Sequence, residues 1–102
     1  MTEFFLAFAF GFFATNSLPH IIPGIHGKPF YSPFAKPPVK GKSSAVVNVL
    51  WGFVNIVAAY VLFIETDLDL HNYIHGIGFL LGILITSLTL AITFGANNKR
   101  EE

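Results

Sequence analysis

The chain has 102 residues, 53% of them apolar and only 12% charged, with a formal net charge of zero and no cysteine. One domain fits this length, a neutral chain offers no electrostatic footprint for nucleic acid, and disulfide and thiolate chemistry are excluded. A dozen charges could hardly solubilise so much apolar surface on so small a domain.

No charge lies between Lys42 and Glu65 or between Asp69 and Lys99. Charge-free stretches of this length match the roughly 20 residues that cross a bilayer core. The composition therefore predicts an all-α membrane protein with three transmembrane helices and one domain over 1–102.

The first apolar segment, TEFFLAFAFGFFATNSL, covers residues 2–18. It begins with Glu3 where a signal peptide would carry lysine or arginine, and no small-x-small cleavage site follows, so it reads as a retained span. Pro19 and Pro23 predict that the helix ends at Leu18, because proline donates no backbone hydrogen bond and disfavours helix before it.

Residues 19–43 then form an irregular segment that holds all six prolines together with His20, His26 and Lys28. Non-helical backbone survives at membrane depth only inside protein or beside water. An interfacial or re-entrant loop is expected, either closing the end of the bundle as a hydrophobic lid or offering a docking surface or ligand pocket. Gly41-Lys42-Ser43-Ser44 resembles the end of a phosphate-binding loop, but Lys36 stands where that motif needs its first glycine.

The second span, 44–64, contains AVVNVLWGFVNIVAAYVLFI, with Ser43 or Ser44 placed to cap its first turn. Asn48, Gly52 and Asn55 share one stripe. The third span, 71–95, follows the cap-forming run Asp69-Leu-His-Asn and is expected to end at Gly95. Gly78, Gly82 and Thr86 continue one of its faces. In lipid, helices associate through small residues and interhelical hydrogen bonds, each worth about 0.5–2 kcal/mol, so these positions are the expected packing faces.

The run FFATNSLPHIIPGIHGKPFYSPFAKPPVKGKSSAVVNVLWGFVN, residues 12–55, resembles a family of small bacterial integral membrane proteins. The resemblance lies in a Pro-His after the first span, a G-K-P-F…S-P-F loop and a V-N-x-L-W-G second span. It implies a bacterial source and a membrane location, for which the bacterial cytoplasmic membrane is the expectation, and it brings no activity, cofactor or catalytic residue.

All six Lys and Arg residues fall in the first loop or after the third span, whereas Glu65, Asp67 and Asp69 fall in the second loop. The excess of basic residues on cytoplasmic loops predicts N-out, C-in. His71 and His75 are four residues apart on the acidic side, a spacing that can share a divalent metal or a haem, with Asp67 and Asp69 as further ligands. His20 and His26 would lie a bilayer thickness away, about 30 Å.

No HExxH arrangement or other reaction motif occurs, and no residue is assigned a catalytic role. The chain thus reads as a non-enzymatic structural or accessory subunit in the lipid bilayer, acting by self-association or within a larger membrane complex. The alternatives are a metal- or haem-binding membrane protein using His71 and His75, and a small oligomeric transporter.

Overall fold

Three long apolar segments become helices because a helix satisfies nearly all of its own backbone hydrogen bonds where water is absent. The computed structural model describes residues 1–102, with α1 at Thr2–Ile25, α2 at Ala45–Glu65 and α3 at Tyr73–Glu101. All three are long and apolar enough to cross a membrane. At about 1.5 Å per residue, α3 is roughly 43 Å long and overreaches a ~30 Å hydrocarbon core by about two turns.

The expected end of the first helix at Leu18 is overturned, since α1 runs through Pro19 and Pro23 to Ile25. Each proline forfeits one backbone bond, but packing supports these turns. Gly24 lies against Ala45 and Val49 of α2, and Ile21 and Ser17 lie against Gly52. The helix stops at a glycine cap, with Gly27 at φ +73° and its amide bonded to the Gly24 carbonyl, while the Lys28 amide reaches Pro23. The third helix also outlasts its expected end at Gly95, because Asn97 and Asn98 are held in helix by bonds to the first loop. Its start is at Tyr73, not 71, with Asn72 accepting from the Ile74 amide at 2.9 Å. Ser44 caps α2 by accepting from Val47 at 3.2 Å.

α1 is the hub of the bundle and packs along both other helices. Against α3 it is held backbone to backbone. The Phe4 and Phe8 carbonyls sit over Gly78 and Gly82, and Gly11 sits over Phe79 and Ile83. Phe10 bridges this end by stacking on Phe79 at 5.1 Å and meeting Phe63 of α2 at 5.6 Å. Beyond Gly11 the two helices part, and cavities lined from both open between them.

The loop fills that splay. β1 (Phe30–Tyr31) and β2 (Lys42–Ser43) pair antiparallel, with Phe30 opposite Ser43 and Tyr31 opposite Lys42. Phe30 and Tyr31 pack on Phe94 of α3 at 4.8 and 5.5 Å.

The bundle is more polar inside than out. Ser17, His20, Asn48, Asn55, His75 and Thr86 are buried, while the large apolar side chains along α2 and α3 are mostly exposed. A soluble fold does not leave such a surface to water. The protein is an integral membrane three-helix bundle.

Candidate functional site at the loop end

Four elements converge where α1 ends, α2 begins and α3 leaves the bundle. Their centre is Asn48, buried on the first turn of α2. Its Nδ2 lies 3.1 Å from each of three carbonyls, those of Phe30, Ser43 and Ser44, and its two protons are shared among them. Turning the amide over would set its oxygen against three oxygens, so Oδ1 must face His20, whose Nδ1 is 2.8 Å away. That contact requires a proton on Nδ1. The neutral ring therefore presents a bare lone pair on Nε2, which has no protein partner.

One helical turn earlier, the same logic fixes Asn16. The Asn55 amide donates to the Trp51 carbonyl at 2.8 Å, so its oxygen accepts from Asn16 Nδ2 at 3.0 Å. Asn16 Oδ1 is left without a partner. Asn16 and His20, four residues apart on α1, both line a cavity of about 250 Å³. Thr93 of α3 joins them there. Phe12, Trp51 and Phe94 form its aromatic walls and the loop, through Tyr31 and Val39, its roof. No Asp, Glu, Lys or Arg lines it. The site combines the Nε2 and Asn16 Oδ1 acceptors and the hydroxyls of Ser32 and Thr93 with aromatic walls, and its lining holds no acid pair.

Side chains fasten the roof to α3. Asn97 Nδ2 donates to the Val39 carbonyl at 2.9 Å, and Arg100 reaches the Lys40 carbonyl at 3.2 Å. The Tyr31 hydroxyl lies 2.7 Å from the Asn98 side chain and also meets the Glu101 carboxylate. It has one proton, so the carboxylate accepts it while Asn98, with its amide turned over, donates. Burial, and then the Glu101 carboxylate, push the Tyr31 phenol above its ordinary range. Lys42 stands 3.8 Å from Glu101 and over the Tyr31 ring. Val39 has φ +68°, costly for a β-branched residue, and is held there by Asn97 and by its own amide on Ser32.

The remaining candidates fall elsewhere. His26 and Lys28 are exposed beside the loop, His26 Nδ1 resting on the Ile22 carbonyl at 2.7 Å. His20 is not in the loop, as expected from sequence, but on α1. Gly78, Gly82 and Thr86 face α1, as do Asn48, Gly52 and Asn55 from the other side.

His71 and His75 lie at the opposite end and separate. His71 is exposed and paired with Asp69 at 3.4 Å. His75 is buried, its Nδ1 accepting from the Asp69 amide at 2.9 Å and its Nε2 standing 3.5 Å from Glu3. No three His, Asp or Glu side chains, Asp67 included, are arranged to hold a metal.

Asn16 and Tyr31 carry no role in the sequence reading. Extending the first helix to Ile25 would have aligned Phe12, Asn16 and His20 on one stripe facing Asn48 and Asn55. No known protein family, curated protein or solved structure matches the chain.

Proposed function

We propose that this chain is a non-enzymatic accessory protein of a bacterial cytoplasmic membrane, which joins a larger membrane complex through its loop end. One observation carries this reading. The loop is tied to α3 by side-chain bonds reaching across 58 to 70 residues of sequence, which gathers all six basic residues on one platform. A segment that only connects two helices needs no such fastening. The small-residue stripes do not serve a second copy, because Gly11, Gly52, Gly78 and Gly82 already meet helices of the same chain.

The platform carries Lys28, Lys36, Lys40 and Lys99 free of ion pairs, with Phe34 exposed beside them. Basic and aromatic groups together suit a partner membrane protein with an acidic water-facing surface. The positive-inside rule places this platform in the cytoplasm and the N-terminus outside.

Blue-native electrophoresis of membranes dissolved in mild detergent tests the proposal. Wild type should run in an assembly larger than a monomer, and Lys36→Glu/Lys40→Glu/Lys99→Glu should run alone with an unchanged circular-dichroism melt. A lone wild-type monomer under every mild condition overturns it. So does a monomer that merely retains anionic lipid, which would make the platform a headgroup site.

A further inference from the structure

The loop-end cavity is built for a ligand of definite chemistry, independently of what docks on the platform above it. Its central group is His20, only 3% exposed, and with Nδ1 bound to Asn48 its free Nε2 acts as an acceptor. Asn16 Oδ1 adds a second acceptor one turn away. A ligand here must therefore donate hydrogen bonds.

The ligand must also be neutral. A cation would find no carboxylate in the lining, and six basic residues lie at the same end. An anion would meet the Nε2 and Asn16 Oδ1 lone pairs and find no charged donor in the lining.

The walls settle its shape. Phe12, Tyr31, Trp51 and Phe94 suit the faces and edges of a flat ring. An apolar cavity of roughly 150 Å³ takes benzene, so about 250 Å³ accommodates a single ring with a substituent. The Trp51 ring stands 6.4 Å from that of His20 and forms the wall beside the imidazole.

We infer that the cavity between α1, α2, α3 and the loop binds the hydroxylated aromatic head of a neutral amphiphile, of the phenol or hydroquinone type, drawn from the bilayer. Phe12 of its wall is 38% exposed on the outside of the bundle, and a tail on the ring would extend past it among lipid chains.

Trp51 is the only tryptophan, so a bound bromophenol reports itself by quenching indole emission. In mild detergent, 4-bromophenol should quench saturably. The same ring with its oxygen methylated, 4-bromoanisole, should bind about tenfold or more weakly, because Nε2 then stays unpaired. Thr93→Phe fills the cavity from α3 without touching the His20–Asn48 pair, and should abolish saturation while the helical melt is retained. Leu90→Phe fills it from the preceding turn and serves if Thr93→Phe does not fold. Quenching that rises linearly with ligand, is equal for the two compounds, or persists in the folded filled variant overturns the inference.

Discussion

Asn48 ties one imidazole and three carbonyls with a single short side chain. Asn48→Ala removes these contacts together, although the Ser44 carbonyl keeps the backbone amide of residue 48, and buried groups left without a partner cost about 1–3 kcal/mol each in soluble proteins. Hydrogen bonds between helices in membranes are worth less, averaging about 0.6 and reaching about 1.7 kcal/mol. The expected loss is therefore about 2 kcal/mol, measured by unfolding in mixed detergent with Trp51 emission as the probe. A cycle with His20→Phe should show coupling of about 1 kcal/mol; additive losses would mean the pair is not formed. Glycines make a second contrast. A Cβ on Gly78 would stand 2.6 Å from the Phe4 carbonyl, whereas Gly95 has open space around it. Gly78→Ala should destabilise by about 1–3 kcal/mol as the backbones are forced apart. Gly95→Ala should stabilise slightly, by up to about 1 kcal/mol from helix propensity.

Among the elements, the loop and the last turns of α3 act as one unit, and Tyr31 joins them. Its phenol titrates above the ordinary 10.0 because of burial and Glu101. A raised folded value means the unfolded chain loses its proton first. The clamp's contribution is thus complete below pH 10 and is lost as pH rises through the folded value. A spin label on Lys36→Cys should gain mobility above that pH. In Tyr31→Phe it should be more mobile at neutral pH and insensitive to the same rise. A label indifferent to both changes would show that Tyr31 does not hold the loop. The three spans were legible because charges are missing over whole helix lengths, and the caps at Ser44 and Asn72 because their side chains act locally. The end of α1 was not. Proline's local penalty argues for a stop at Leu18, and what outweighs it is contact with α2, between residues 21 to 35 apart in sequence. Separations of 28 and 39 residues likewise hid the site. Asn48 and Asn55 announced interhelical bonds, but their partners Asn16 and His20 align only once α1 is carried through both prolines.

The whole molecule is polarised along its 44 Å long axis. Glu3, Glu65, Asp67 and Asp69 gather at one end, and every Lys and Arg gathers at the other. The same asymmetry was readable as a count of loop charges, and the fold adds that the two basic segments touch, through Arg100 and Lys40. With no native cysteine, single replacements report orientation directly. Asp67→Cys should react with an impermeant maleimide in intact cells, and Lys36→Cys only after the membrane is opened. The reverse pattern would invert the topology. The polar interior also predicts how the bundle tolerates change. Leu84→Val on the lipid-facing side should alter stability by less than about 0.5 kcal/mol, as for substitutions away from packed features, whereas Asn55→Leu should open the α1–α2 seam and lower the melt.

The fastening of the loop by Asn97, Arg100 and Glu101 also has a meaning in time. A ribosome delivers the loop when only the first span has been made, and delivers its anchors only after the apolar part of α3. Until then the platform is unfastened and the cavity has no finished roof, even as α1 and α2 find each other through His20 and Asn48. Assembly of this end therefore waits for α3. A chain halted just after Gly95 would keep three spans and lose the bonds from Asn97, Arg100 and Glu101, so truncation there would leave the protein in the membrane with its platform unfastened and its cavity unroofed.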